Sequence, residues 1–255
     1  MSQKTILAVA AATLAFTQVA KAQTNLQVFY DFGSDRKHVT TTLEGFYNDN
    51  WGNTFFFVDH DYAQKDAKGK VESPSGTYWE IARCLNFWQN TKLGGLSLQL
   101  EYNGGVYHGY TIKNAFLGGL DYFFHSQDFK NTLNVKLLGK YIHGTKQNVP
   151  LQFTLVWGLQ DLFGAKGLRF SGFADFWWED HTVCPWLAGA DDFRDWTKAE
   201  TSHTVFLSEP QLWYNVGQWF GVNNLNIGGE VELSVNFGTL KGFRARPCLG
   251  VKWVF

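Results

Sequence analysis

Phe243-Arg244-Ala245-Arg246-Pro247-Cys248-Leu249-Gly250-Val251-Lys252-Trp253-Val254-Phe255 alternates residue by residue. Phe243, Ala245, Pro247, Leu249, Val251, Trp253 and Phe255 share one phase; Arg244, Arg246, Cys248, Gly250, Lys252 and Val254 share the other. Successive side chains of a strand point to opposite sides, so this period of two predicts a strand with one apolar and one cationic face. The apolar face needs a core or lipid to lie against. The other face needs water or counter-charges.

The pattern recurs upstream. Leu96, Leu98, Leu100, Tyr102 and Val106 oppose Ser97, Gln99, Glu101 and Asn103. Leu168, Phe170, Ala174 and Phe176 oppose Arg169, Ser171, Asp175 and Trp177, while Leu225, Ile227, Val231, Leu233 and Val235 oppose Asn226, Glu230, Glu232, Ser234 and Asn236. Read throughout, the alternation predicts about twelve strands: 25–33, 38–47, 53–62, 76–88, 96–108, 114–125, 132–143, 149–160, 167–179, 202–214, 223–236 and 243–255. A tilted strand crosses a bilayer in about nine to eleven residues, and these are of that order.

Residues 1–22 have the form of a secretory signal peptide: Lys4, an apolar run from Ile6 to Phe16, then Ala20-Lys21-Ala22 as a small-x-small cleavage site. Alternation alone leaves a soluble periplasmic β protein open; taken with export and the terminal aromatic Phe255, it predicts an all-β fold for 23–255: one transmembrane antiparallel β-barrel domain in the cell outer membrane. With both ends of the wall in the periplasm, the longest connections, 63–75 and 180–201, emerge outside, and the periplasmic turns are all short. Trp51, Trp88, Trp157, Trp219 and Trp253 fall near the periplasmic rim, where indole rings favour the headgroup zone; Trp51, and after it Trp219, is expected instead to fill a turn or pack inside.

Composition agrees. The chain has 23 Phe, 11 Trp, 10 Tyr and 26 Gly against 5 Pro and 1 Met. Its formal charge of −1, becoming −3 without Lys4 and Lys21, is that of neither a nucleic-acid-binding protein nor a polyanion. Cys84, Cys184 and Cys248 are odd in number and widely spaced, so no disulfide pairing can be chosen and no metal spacing is present. No cofactor or metal is expected.

With polar faces inward, the lumen is lined by Asp31, Glu44, Asp59, Glu80, Glu101, Asn103, Asp175, Glu209, Gln211, Glu230 and Glu232, opposed by Lys136, Lys140, Arg169, Arg244, Arg246 and Lys252. Glu230 and Glu232 are expected to form cross-strand ion pairs with Arg244 and Arg246. Phe29, Phe46, Phe55, Phe57, Phe173, Trp177 and Trp213 share the inward phase. Flat rings beside hydrogen-bonding groups suit a solute with a flat base and a hydroxylated sugar, although Phe29 and Phe46 suit space filling better.

Phe170-Ser171-Gly172-Phe173-Ala174-Asp175-Phe176-Trp177 resembles the corresponding strand of the nucleoside-specific (Tsx-like) outer-membrane channels. More of the chain resembles a family of outer-membrane barrels of Bacteroidetes-type bacteria related to those channels. The segments are Tyr30-Asp31-Phe32-Gly33, Thr40-Thr41-Thr42-Leu43-Glu44, Trp51-Gly52-Asn53-Thr54-Phe55-Phe56-Phe57-Val58-Asp59, Tyr78-Trp79-Glu80-Ile81-Ala82-Arg83, Glu101-Tyr102-Asn103-Gly104-Gly105, Glu209-Pro210-Gln211 and Gly229-Glu230-Val231-Glu232-Leu233-Ser234. His181 to Glu200 departs from that pattern. The terminal strand ending at Phe255 is similar to the closing strand of bacterial outer-membrane barrels. The resemblance implies a passive channel for small polar solutes, nucleosides first. Its implied partners are outer-membrane lipid, the solute and the barrel assembly machinery, which would read the terminal strand.

Two other classes compete. A barrel hydrolase would need a nucleophile, a histidine and an acid together; His60 beside Asp59 and Asp61, His143, His181 beside Asp180, and His203 beside Ser202 stand in no such spacing, so no enzyme is expected. A non-conducting structural or surface-binding barrel would plug its lumen with ion pairs, or use the 180–201 loop, where Trp186, Phe193 and Trp196 alternate with Asp191, Asp192 and Asp195.

Overall fold

A computed structural model describes residues 22–63, 68–71, 73–107, 110–189 and 192–255. The expected signal peptide therefore lies, apart from Ala22, outside the described residues. Strands follow one another along the chain: β1 (Ala22–Asp31), β2 (Val39–Asp49), β3 (Gly52–Tyr62), β4 (Gly76–Leu85), β5 (Leu96–Tyr107), β6 (Tyr110–His125), β7 (Asn131–Ile142), β8 (Leu151–Gln160), β9 (Leu168–Val183), β10 (Glu200–Ser208), β11 (Gln211–Tyr214), β12 (Leu225–Val235) and β13 (Phe243–Val254). Each pairs antiparallel with its neighbours, and β13 pairs with both β12 and β1, so the sheet closes.

Thirteen strands make twelve wall positions. β10 and β11 both lie between β9 and β12, and from Thr204 to Tyr214 they keep one register, after a shift between Ser202 and Thr204. Pro210 divides them because it has no N–H to give the ladder. Across the ladder stands Gly172 at φ 152°, where an added Cβ would lie 2.4 Å from the Glu209 carbonyl oxygen. Only glycine serves there.

The register fixes both faces. Leu26 opposes Trp253, Val28 opposes Val251 and Tyr30 opposes Leu249, all in the outward phase. Leu100 is 60% and Leu249 64% exposed, whereas inward Gln99 is 1% and Ser234 0% exposed. Apolar side chains out and polar side chains in is the reverse of a soluble barrel. A continuous apolar band of this kind needs lipid around it, and ring closure leaves no open sheet edge to meet that lipid. The fold is a closed twelve-strand antiparallel β-barrel.

The connections depart from expectation in detail. At the end holding the start of β1 and the finish of β13 (the turn end) they span 50–51, 86–95, 126–130, 161–167 and 215–224. Two are longer than expected. β4 stops early because Asn86 bonds Trp51 and Gly94, and a 3-10 turn occupies 216–220. At the opposite, loop end, 63–75 and 184–199 remain the longest connections. β9 runs four residues beyond its expected finish at 179, to Val183, pairing with β10 as far as Glu200. Trp51 and Trp219 do lie in turns, at 50–51 and 216–220, but do not pack inside; they are 63% and 66% exposed.

Candidate functional site

All the residues expected to line the lumen have their backbones in the inward phase of the wall, because a ladder of known register propagates phase from strand to strand. The structure sorts them into three neighbourhoods.

The first lies on β4, β5, β7, β8 and β9. Thr154 donates to Asp175 at 2.5 Å, Gln152 donates to Thr154 at 3.0 Å, and Lys140 donates to Gln152 at 2.6 Å. Gln99 and Asn103 donate to Glu101 at 2.6 and 3.3 Å, and Tyr78 reaches Glu80 at 3.4 Å. Lys136 and Lys140 lie within electrostatic reach of Glu80, Glu101 and Asp175. The three carboxylates also feel one another across the lumen.

The second neighbourhood lies on β2, β3, β11, β12 and β13. Thr42 donates to Asp59 at 2.5 Å, Gln211 to Glu230 at 2.8 Å, Trp213 to Gln211 at 2.9 Å, and Asn25 to Glu44 at 2.8 Å. Lys252 sits 4.1 Å from the centre of the Trp213 ring. Among the described residues the Glu209 carboxylate has no hydrogen-bond partner, although Asp59, Glu230 and Glu232 are within electrostatic reach of it.

The third is at the loop end, and the sequence did not reveal its key members. Residues 32–38, joining β1 to β2, turn inward. Asp35 meets Arg246 at 2.7 and 3.0 Å, Arg36 bonds Glu232 and lies 3.4 Å from Asp31, and His38 lies 3.4 Å from Asp61. Arg246 also bonds Glu232, so Asp31, Arg36, Glu232, Arg246 and Asp35 form one chain of alternating charge. Burial alone would raise the Asp35 carboxyl, but the hydrogen bonds and charge of Arg246 hold it below its ordinary value. Burial would likewise lower Arg36, yet Glu232 and Asp31 push it well above the usual arginine range.

Two expectations need correcting. Glu232 and Arg246 do pair across strands, but Glu230 and Arg244 do not join them. Glu230 stands opposite Cys248 and Arg244 opposite Ser234, because the register is offset by one pleat from that required. Arg244 instead lies 4.6 Å from the Trp186 ring centre, and Trp186 stacks on Phe193 at 5.1 Å. Trp177 is inward but 7% exposed, with Lys140 3.9 Å from its ring centre and Phe237 against its edge. It packs with Leu117, Leu138, Ile142 and Val205 under the 236–242 connection. The rings left half-buried beside the carboxylates are Phe55, Phe57, Tyr78 and Phe173.

The 184–199 connection docks on 236–242 through Cys184 N–H to the Thr239 carbonyl at 2.8 Å, Lys241 N–H to the Cys184 carbonyl at 2.9 Å, and Arg194 Nε to Thr239 at 2.7 Å. Leu240 is buried beneath it. Asp191 lies outside the described residues; Asp192 and Asp195 accept from Trp196 and Thr197 within the loop. Cys84, Cys184 and Cys248 are buried and unpaired. Of the histidines, His60 faces outward and contacts Thr77 at 2.9 Å, and His203 contacts Asp180 at 2.7 Å while the Ser202 hydroxyl turns to the Thr204 carbonyl.

Solved structures with a similar fold include the NanC porin, at 7% identity and TM-score 0.52 over 90% of this chain and 98% of that one. The KdgM porin, in complex with disordered oligogalacturonate, aligns at 10% identity and TM-score 0.46 over 91% and 99%. The outer-membrane protein OpdK of Pseudomonas aeruginosa aligns at 9% identity and TM-score 0.37 over 94% and 99%. At such identities the likeness speaks for fold alone, and of these three only NanC superposes closely enough to carry that point. No curated relative matches the chain. The family model described as a domain of unknown function, DUF5020, matches residues 22–255, and the chain belongs to that family.

Proposed function

We propose that the protein is an outer-membrane channel for passive, substrate-selective diffusion of small polar solutes, nucleosides first, with its loop end outside and its turn end in the periplasm. The observation that carries this reading is the composition of the mid-lumen. Asp59, Glu80, Glu101, Asp175 and Glu230 are held from one side by Thr, Gln, Asn or Tyr donors of the wall. Phe55, Phe57 and Tyr78 stand among them in a row, with ring centres 6.0 and 5.7 Å apart. Anchored carboxylates accept from sugar hydroxyls, and ring faces accept a planar base with little regard to its identity. A barrel of twelve strands is wider than the eight that side chains just fill, which leaves space for such a path.

Diffusion would need no energy source, and the barrel lipid face would supply anchorage alone. Refolded protein in planar bilayers should conduct, and nucleosides should block the current more strongly than sugars or amino acids do. Absence of both conductance and solute flux would remove the channel reading. The second reading, a non-conducting structural barrel, is favoured by one observation: two connections, 32–38 and 236–242, cover parts of the loop end.

A further inference from the structure

The two covers of the loop end are built differently. The 236–242 connection is held by backbone hydrogen bonds to Cys184 and by burial of Leu240 and Phe237. Residues 32–38 have backbone bonds at their base, where Asp31 N–H meets the His38 carbonyl at 2.9 Å and Phe32 N–H meets the Pro247 carbonyl at 2.9 Å. Beyond that base the attachment is ionic. Asp35 is fastened to Arg246 on β13, and Arg36 to Glu232 on β12.

Arg36 also reaches inward. Its charge is felt by Asp59 and Asp61 on β3, by Glu209 between β10 and β11, and by Glu232 on β12. The geometry agrees: the guanidinium bonds Glu232 on β12 and lies 3.4 Å from Asp31 on β1, two inward-phase residues, so it lies inside the ring of the wall. A residue carried by a connection, and not by the wall, thus lies inside the barrel at its loop end.

We propose that residues 32–38 form an ionically fastened strap that sets the upper size of solute the lumen admits, with Arg246 and Glu232 as its wall fasteners and Arg36 as the part that narrows the path. This rests on the channel reading and adds to it a named constriction. Loosening the strap should widen the lumen. A solute narrow enough to pass Arg36, such as a single nucleoside, is admitted; a trisaccharide is held back.

The test is the double substitution Asp35→Ser with Arg36→Ser, which changes the connection and leaves the wall intact. Bilayer conductance and raffinose flux in vesicles are compared with the parent. In parallel a spin label on Ser34→Cys reports strap mobility, since the native cysteines are buried. The expected result is an immobilised label in the parent and a mobile one after the double change. Conductance should rise about twofold or more, with raffinose flux appearing, as for any pore relieved of a constriction. Unchanged conductance and size limit despite a loosened label would overturn the proposal, and so would a label already mobile in the parent. No conductance from either protein would overturn it together with the channel reading, and the label would still show separately whether the strap is fastened.

Discussion

Asp35 and Arg246, 211 residues apart in the chain, meet with Arg246 Nε 3.0 Å from both carboxylate oxygens and Nη2 2.7 Å from Oδ2. Both side chains are almost wholly buried, at 7% and 5% exposure. Arg246 therefore serves the connection and the wall at once, since Glu232 is its second partner.

Arg246→Ala leaves Asp35 and Glu232 in place without that cation. Removing one partner of a buried ion pair costs about 3–5 kcal/mol, because the charge left behind is desolvated and uncompensated. Denaturant unfolding from lipid vesicles should show a loss of that size. Asp35→Ser should cost less, because the freed connection can move its remaining charges into water.

Acid should loosen the connection only at low pH. The ordinary value for Asp35 is 3.8, and the fastened carboxyl lies below it. A carboxyl depressed in the folded state contributes stability in full above its ordinary value and loses it as pH falls through the depressed one. Arg246 and Arg36 are the cations facing Asp35, while Glu232 and Asp31 compete for them from β12 and β1. Mobility of a spin label on Ser34→Cys, followed from pH 7 downward, should stay low through the neutral range and rise only below about 3.8. A rise centred near neutrality would count against Asp35 as the fastener.

Leu100→Arg probes the outer face. Leu100 is 60% exposed, and in water such a surface change alters stability by about 0.5 kcal/mol or less. In the bilayer interior an outward arginine costs about 2–4 kcal/mol. Unfolding in vesicles should show the larger penalty.

Asp175→Asn keeps the shape of the side chain and removes its charge. Hydrogen bonds to charged groups contribute about 1.5–3 kcal/mol, so nucleoside block of the current should weaken about tenfold or more if Asp175 accepts from the solute. The Thr154 hydroxyl keeps an oxygen to donate to, so the barrel should stay folded, as far-ultraviolet circular dichroism would verify.

The wall was legible in the sequence because a strand has a fixed period and a closed ladder transmits its phase. That Leu26 and Trp253 share the outer face, and Glu232 and Arg246 the inner one, follows once alternation is read in each segment; which residues stand opposite does not. Contacts made by connections carry no period. Nothing in Ser34-Asp35-Arg36-Lys37 indicates that its charges turn inward to β12 and β13. Arg244 shows the same limit from the wall side: its phase was readable, but its partner, Trp186, is placed by the docking of 184–199 on 236–242. Trp177 was correctly inward, yet only the packing of Phe237 over it shows that little of its ring stays open.

Single-channel recording of the refolded barrel, with nucleosides added to the bath, tests the central claim most directly. Discrete conductance steps blocked by nucleosides in preference to sugars and amino acids are the predicted result; a bilayer that stays silent, with no nucleoside flux into vesicles carrying the folded protein, would contradict it.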